Sequence, residues 1–189
     1  MKLKFLKFKS VKSTNDIAHD LILKKKMKPT IILSEKQTKG RGTMGKNWVS
    51  KKGNLFITIF FDMSIKNINF KKFSILNAYL LKSILMKKFS NKIKIKWPND
   101  LLFERKKICG ILQETVSNLG RKFLIIGIGI NTNFDPSNDS FSSTSLKKIT
   151  KKNIDNKKLF IMIKNNYEKF LSKTKIKSFA ELKKYTQKL

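Results

Sequence analysis

The chain has 189 residues, a length that suits one globular domain with a hydrophobic core. Its 43 Lys and Arg residues against 12 Asp and Glu residues give a formal net charge of +31, which favours acidic partners. The 40 lysines are spread along the chain and form no basic arm, so dedicated nucleic-acid binding is not indicated. No apolar run approaches the ~18 residues of a membrane span, and the N-terminus lacks a signal-peptide core. We therefore expect a cytoplasmic protein without membrane contact.

Apolar and polar residues alternate in patterns that predict both strands and helices. A strand is predicted at 3–8, and cap residues at 13–16 begin a helix that runs to about 26 with Ile17, Leu21 and Leu23 on its apolar side. The later predicted elements are strands at 30–34 and 54–61, a helix at 70–89, strands at 92–96, 108–116 and 123–130, an exposed loop at 135–145, and amphipathic helices at 154–171 and 179–189. This order predicts the α+β class, with a mixed β-sheet and helices packed on one face.

Glycine is scarce in this chain, and seven of the eight glycines fall in three groups: Gly40, Gly42, Gly45 and Gly53; Gly110; Gly127 and Gly129. Such grouping indicates backbone positions where a ligand or another chain segment approaches closely. The segment 40–48 is a flexible cationic loop suited to a phosphate. It is not a P-loop, because the Gly-Lys-Ser/Thr ending is absent.

A second dense cluster of special residues spans 96–112. Asp100 follows a rigid Trp-Pro-Asn turn, and Lys107 precedes a predicted strand, so a carboxylate and a cation are offered to a negatively charged substrate. Cys109 lies in an apolar register and is interpreted as a core residue rather than a nucleophile. One cysteine and one histidine, His19, leave no internal disulfide and no His/Cys metal cluster, and His19 is expected on the surface or in packing.

Taken together, the motifs closely resemble those of the biotin-protein ligases. The resemblance covers about residues 8–146 and rests on segments 13–15, 37 with 40–48, 96–100, 107–114 and 127–133, in the order and spacing of that family, together with the loop 144–146. It implies the class II aminoacyl-tRNA synthetase/biotin synthetase fold. It also implies a two-step reaction, in which biotin and MgATP give biotinyl-5′-adenylate and pyrophosphate, and a lysine of a biotin carboxyl carrier domain then takes the biotinyl group.

The resemblance also implies roles for individual residues. The expected catalytic residues are Lys107, Asp100 and Arg41, with Mg²⁺ near Asp100. The expected biotin-binding residues are Ser13, Thr14, Asn15, Gln37, Gly40, Arg41, Gly42, Lys107 and Gly110. The expected ATP- and adenylate-binding residues are Arg41, Thr43, Lys46, Trp48, Lys96, Asn99 and Asn131, with Trp48 beside the adenine. The apolar strands 108–112 and 125–130 are expected to line a slot for the biotin ring and valeryl chain.

The sequence differs from the family in three respects. The loop that commonly reads GRGRRGR has Thr43, Met44 and Lys46 at three arginine positions, so weaker retention of the adenylate is expected. No N-terminal helix-turn-helix is present, so no DNA binding is expected. A C-terminal small β-barrel is absent as well, which fits either a minimal ligase or a truncated product. The chain is thus interpreted as a single catalytic domain, 1–189, with a helical tail at about 154–189.

The expected partners are the carrier domain of acetyl-CoA carboxylase or a related carboxylase, and a second copy in a homodimer. The nearest alternative is a lipoate or octanoate ligase of the same broad fold. An octanoyltransferase requires an accessible nucleophilic cysteine, which Cys109 does not match. The alternative from a different class is a basic nucleic-acid-binding protein, which requires a clustered patch or aromatic residues interleaved with basic ones.

Overall fold

A computed structural model describes residues 1–65, 70–136 and 142–172. Its centre is a seven-stranded sheet in the order β1-β2-β3-β7-β6-β5-β4. The strands are β1 Lys4–Phe8, β2 Thr30–Ser34, β3 Leu55–Asp62, β4 Ile93–Lys96, β5 Asp100–Phe103, β6 Lys106–Asn118 and β7 Arg121–Ile130. Strands β1 and β2 are parallel, and every other neighbouring pair is antiparallel. The predicted mixed sheet is confirmed.

Helices cover both faces of the sheet. The α-helices are α1 Thr14–Leu23, α2 Phe70–Lys88, α3 Leu146–Thr150 and α4 Asn156–Ser172, with short 3-10 turns at Thr43–Gly45 and Met63–Ile65. The long helices α2 and α4 share one face, as expected, and α1 adds a layer on the other face, where Ala18 and Ile22 pack against Ile32 and Phe60. Both faces of β3 are therefore buried, which explains its almost uninterrupted apolar sequence. None of the helices in the described ranges is long and apolar enough to cross a bilayer.

Buried polar groups join the helices to the sheet. Tyr167 of α4 donates a hydrogen bond to Asn77 of α2 at 3.0 Å, and Asn77 donates in turn to Gln113 of β6. The amide of Gln113 then donates to Ser74 at 2.9 Å. Since each of these groups has a partner, the network costs little in desolvation and fixes how α2 and α4 lie on β6.

Several predicted boundaries differ from the structure. Helix α1 ends at Leu23, whose exposed fraction of 58% shows that its assignment to the apolar side was wrong. Strand β5, with 4 residues, and helix α3, with 5, were not predicted, because elements this short show no repeating pattern of apolar residues. Part of the loop expected to be exposed is buried at Ser143–Ser145. The predicted helix at 179–189 lies outside the described residues.

The carboxylate of Asp62, at the end of β3, is almost fully buried. It accepts a hydrogen bond from the backbone N–H of Ser64 at 2.8 Å and one from Arg121 at 2.6 Å. Burial alone would raise the pKa of the Asp62 carboxyl, but these two donors outweigh it and hold the pKa below its ordinary value.

We expect Asp62→Asn to lower the free energy of unfolding at neutral pH by about 1–3 kcal/mol, because a charge-assisted pair is lost. A lowered folded-state pKa stabilises the fold only where the carboxyl is ionised. The difference between wild type and variant should therefore persist down to the unfolded-state pKa of about 3.9 and vanish as the pH falls through the lower folded-state pKa. Denaturant titrations across this pH range measure it. Glu35→Gln, which breaks an exposed pair with Lys7, is the control and should change little. A gap that widens in acid would contradict the assignment.

Candidate active site

The register of the sheet places one row of residues side by side across all seven strands. The row is Phe8, Ser34, Phe56, Gly129, Gly110, Asp100 and Lys96. Directly paired residues project from the same face, and this is the face that carries α1. Two glycines thus lie at the centre of the row and two charged residues at one end. The glycines leave a shallow floor where neighbouring rows carry side chains.

A β-bulge brings Lys107 to this face. Leu101 pairs with Cys109 but Leu102 pairs with Lys107, so Ile108 is the extra residue. In a regular strand, Lys107 and Gly110 would project from opposite faces, because their separation is odd. The bulge lets Ile108 and Cys109 both enter the core and turns Lys107 towards the floor. Lys106 pairs with Phe103 and lies exposed on the other side.

Lys107 forms an ion pair with Asp100 inside the cleft. The ammonium nitrogen lies 2.7 Å from Oδ1 of Asp100, and the two side chains are 29% and 16% exposed. This is the distance of a charge-assisted pair, so the Lys107 ammonium is the partner of this buried carboxylate oxygen. The same ammonium lies 5.1 Å from the centroid of the Trp48 ring, a cation–π distance. The ammonium is therefore fixed in position in a partly buried site.

Trp48 rests on the glycine floor. A Cβ at Gly110 would lie 2.7 Å from Cζ3 of Trp48, and one at Gly129 would lie 2.4 Å from Cε2. Real carbon atoms do not approach so closely, so alanine at either position would displace the indole. The indole Nε1 is buried and meets no hydrogen-bond acceptor among the described residues. Trp48 thus lies in the middle of the cleft, between its polar end and Lys107.

The polar end of the cleft begins at the N-terminus of α1. Ser13 caps this helix by accepting from the backbone N–H of Asn15 at 3.2 Å. The backbone N–H of Thr14 donates to Oε1 of Gln37 at 2.8 Å, and the hydroxyl of Thr14 lies 2.9 Å from the same oxygen. Nε2 of Gln37 donates to Ser50 at 2.9 Å. Polar groups on three separate segments are therefore locked together.

Arg41 is fixed by two carboxylates. Its two terminal nitrogens donate to Glu114 of β6 at 2.7 and 3.0 Å, and one of them lies 2.9 Å from Asp16 of α1. Partial burial alone would lower the pKa of the Arg41 guanidinium, but the hydrogen bond and charge of Glu114, aided by Asp16, hold it above its ordinary value. The remainder of the loop is a tight turn, in which the N–H of Gly42 donates to the carbonyl of Lys46 at 2.7 Å.

Most of the predicted site residues meet in one narrow cleft, with a cavity volume of about 40 Å³ while the Trp48 ring rests on its floor. Those that line it are Ser13, Thr14, Asn15, Gln37, Arg41, Gly42, Thr43, Trp48, Asn99, Lys107 and Gly110. Gly40 and Lys46 line a neighbouring depression of the loop. Asp100 does not line the cleft itself but forms an ion pair with Lys107, which does. Lys96 is exposed opposite Asp100. Asn131 is buried behind the cleft, where its Nδ2 donates to the Lys107 carbonyl at 3.3 Å and its Oδ1 finds no partner in the part of the chain that the structure describes.

The two strands predicted to line an apolar slot do line the cleft, but they contribute fewer apolar side chains to it than expected. Ile111 and Ile128 belong to the core cluster on the opposite face. The floor is formed by backbone, by Leu112 and by the glycines. This difference follows from the alternation of a strand, which gives each face only every second side chain.

Three polar residues of the site had no predicted role: Glu114, Asp16 and Thr58. Glu114 lies within the motif 107–114, which gives it no role of its own. Once Gly110 is placed on the site face, period-two alternation puts Leu112 and Glu114 there too, and that signal was readable from the sequence. Thr58 gives no such signal, because it lies within a buried apolar strand.

The single cysteine and histidine are not placed for nucleophilic chemistry. Cys109 is fully buried, and burial, reinforced by the charge of Asp100, raises the pKa of its thiol far above neutrality. Its assignment to the core is confirmed. His19 does have a charged neighbour, since its Nε2 lies 3.8 Å from Glu114.

Known proteins resemble this chain in sequence. Residues 7–133 match the sequence model of the Biotin/lipoate A/B protein ligase family. The chain is 34% identical over 126 residues to the Bifunctional ligase/repressor BirA of Bacillus subtilis, a match that covers 66% of this chain and 39% of that protein. It is 32% identical over 103 residues to the Biotin--[acetyl-CoA-carboxylase] ligase of Paracoccus denitrificans, covering 53% of this chain and 43% of that protein. The chain thus spans about two fifths of the curated relatives it matches.

The fold is also similar to that of a solved structure, the biotin protein ligase from Aquifex aeolicus in complex with biotin and ATP. The TM-score is 0.79 at 29% sequence identity, and the superposition covers 97% of this chain and 76% of that chain. The predicted fold class is therefore confirmed.

The glycine floor gives a test of the site geometry. In a Trp97→Phe background, Gly129→Ala should expel the Trp48 indole, because its Cβ would overlap the ring. We expect a red-shifted emission and stronger quenching by acrylamide. Gly45→Ala is the control, since a Cβ there has no neighbour within 4 Å, and it should leave the emission unchanged although its φ of +72° makes alanine strained. Unchanged emission in Gly129→Ala would show that the indole does not rest on the floor.

Proposed function

Because the chain belongs to the biotin/lipoate A/B protein ligase family, we propose that it adenylates biotin and transfers the biotinyl group to a lysine of a biotin carboxyl carrier domain. In the first step a carboxylate oxygen of biotin attacks the α-phosphorus of ATP, the α–β anhydride bond breaks, and pyrophosphate leaves. In the second step the neutral lysine amine attacks the acyl carbon, AMP leaves with the electrons of the acyl–oxygen bond, and the nitrogen releases a proton to form the amide.

The observation that carries the proposal is the cleft itself. It joins a polar end at Thr14 and Gln37 to a charged end at Lys107, across a floor of glycines and Leu112 on which the Trp48 ring lies. A ligand with a polar ring, an apolar chain and a carboxylate matches this order of surfaces. The ring would bind at the polar end, and the carboxylate would reach Lys107.

Lys107 supports adenylation electrostatically. Negative charge accumulates on the α-phosphate oxygens as the carboxylate attacks, and a preorganised ammonium stabilises that charge without reorganisation. Trp48 shields this ammonium from water on one side. The chemistry requires positioning and charge but no protein nucleophile, which agrees with the inert Cys109.

Asp100 is the residue that would hold Mg²⁺. Its Oδ1 is ion-paired with Lys107 at 2.7 Å, and a carboxylate oxygen is a ligand that Mg²⁺ prefers, so the ion would share this carboxylate with the ammonium. When bound with the nucleotide, the ion would neutralise phosphate charge. Asp100 also holds the Lys107 ammonium at the charged end of the cleft.

Arg41 and the loop that follows would cover the nucleotide side. Arg41 and Thr43 line the cleft, while Met44 is 93% exposed and contributes no charge there. Weaker retention of the adenylate, contacts from Lys46, Lys96, Asn99 and Asn131, and Trp48 beside the adenine stay predictions. A cytoplasmic location, a homodimer and a carrier domain of acetyl-CoA carboxylase or a related carboxylase as the acceptor are part of the same proposal.

A lipoate ligase is the second candidate from the same family. The dithiolane ring of lipoate has no N–H or C=O group, so it would leave the buried polar groups at Thr14, Asn15 and Thr58 without new partners. A site built to bind polar groups rejects a ligand that lacks them. The polar end of the cleft therefore favours biotin.

The proposal predicts biotin-dependent release of pyrophosphate. With ATP and Mg²⁺, turnover of lipoate or octanoate should be at least about tenfold poorer than that of biotin, because both lack the hydrogen-bonding ring. Pyrophosphate release and mass spectrometry of the adenylate measure this. Equal turnover of lipoate would contradict the biotin assignment.

We further expect Lys107→Ala to slow adenylation by roughly 10²-fold or more, as for removal of one preorganised charge from a phosphoryl transition state. Single-turnover formation of the adenylate is the measurement, with circular dichroism as a check of folding. Lys106→Ala removes the neighbouring lysine on the opposite face and should change the rate less than about threefold. Equal effects of the two substitutions would mean that Lys107 acts only through surface charge.

A further inference from the structure

Glu114 joins the two sides of the cleft. Its side chain is 22% exposed, and its carboxylate accepts from Nδ2 of Asn15 at 2.6 Å and from both terminal nitrogens of Arg41. Arg41 has a second carboxylate partner in Asp16. Among the described residues, Glu114 is the acceptor for Nδ2 of Asn15. Nε2 of His19 also lies 3.8 Å from the Glu114 carboxylate, and this histidine carries a charge only when it is protonated.

The carboxylate of Glu114 determines which way the Asn15 amide lies. An ionised carboxylate only accepts hydrogen bonds, so the Asn15 atom that faces it must be the NH₂ group. The carbonyl Oδ1 then faces Thr58, whose hydroxyl lies 2.6 Å away. Asn15 and Thr58 are 3% and 0% exposed, which leaves bulk water unable to replace either contact.

With the Asn15 amide in this orientation, the buried hydroxyls have too few protons to make a hydrogen bond at every contact. Three oxygen–oxygen contacts form a chain: Asn15 to Thr58 at 2.6 Å, Thr58 to Thr14 at 2.8 Å, and Thr14 to Gln37 at 2.9 Å. Thr58 and Thr14 supply one hydroxyl proton each, so two protons serve three contacts. Gln37 contributes no proton to the chain, because the backbone N–H of Thr14 fixes its Oε1 towards Thr14. A flipped Asn15 amide would supply the third proton, and Glu114 prevents that flip.

We propose that Glu114 is a positioning residue that determines specificity, because it keeps the polar end of the cleft rich in acceptors and so selects a ligand ring that donates N–H groups. The inference rests on the proposed function, in which that ring is the ureido ring of biotin. Glu114 does not have to touch the ligand for this effect. It acts through Asn15, Thr58 and Thr14, of which Asn15 and Thr14 line the cleft.

The test is Glu114→Gln. A glutamine can donate to Oδ1 of Asn15, so the Asn15 amide can turn and give its own proton to Thr58. We expect the Kd for biotin, measured by calorimetry, to rise about tenfold, which corresponds to about 1.4 kcal/mol. The ratio of kcat/KM for biotin to that for lipoate should fall by a similar factor.

Two further variants separate this role from a structural one. Asp16→Asn loosens Arg41 without touching Asn15, and it should leave the biotin-to-lipoate ratio within about twofold. The exchange Asn15→Asp with Glu114→Gln swaps amide and carboxylate, restores an acceptor opposite Thr58, and should recover the ratio to within about threefold of wild type. Thermal melting verifies that all variants fold.

The outcomes are distinct. Wild-type protein that binds no biotin overturns the proposed function and this inference with it. Wild-type binding with an unchanged ratio in Glu114→Gln overturns this inference alone. An equal loss in Asp16→Asn, or a folded exchange variant that recovers nothing, assigns the effect to Arg41 or to charge and also overturns it.

Discussion

The cleft depends on the absence of two side chains from the middle of a sheet. Gly110 and Gly129 are direct cross-strand neighbours, and each would collide with Trp48 if it carried a Cβ. Because their row continues into Asp100 and Lys96, the same register that makes the floor also brings charge to its edge. A slip of β7 by one residue against β6 would turn Gly129 into the core and place an isoleucine on the floor. The site is thus a property of strand register rather than of any one loop.

Much of this arrangement could be predicted from the sequence. Apolar residues show a clear pattern in the strands at 30–34 and 123–130 and in the helix at 70–89, so these elements could be predicted. The scarce glycines marked the positions where another group approaches the backbone. The meeting of Ser13, Gln37, Arg41 and Lys107 came from the resemblance of motifs, because residues so far apart in the chain show no local pattern that places them together.

The bulge could not be predicted in this way. Sequence alternation alone puts Lys107 and Gly110 on opposite faces, yet both lie in the cleft because Ile108 is an extra residue. What decides this is the gain from burying both Ile108 and Cys109, which a period-two pattern does not express. The partners of Glu114 were hidden for a related reason. Asn15 and Arg41 are remote in sequence, and hydrogen bonds between distant segments leave no periodic trace.

The segment 142–144 has a consequence for how the chain becomes active. The N–H of Lys107 donates to the carbonyl of Ser142, and the N–H of Thr144 donates to the carbonyl of Lys107, both at 3.0 Å. The N–H of Leu146 likewise binds the carbonyl of Asn131 at 2.9 Å. A lysine in the middle of the domain is therefore braced by residues that emerge from the ribosome some 35 positions later, beyond the boundary at residue 133 where the family match ends. During synthesis the sheet can assemble first, whereas the bulge acquires its outer support only when this later segment has docked, so the glycine floor and the charged end of the cleft need not form at the same moment.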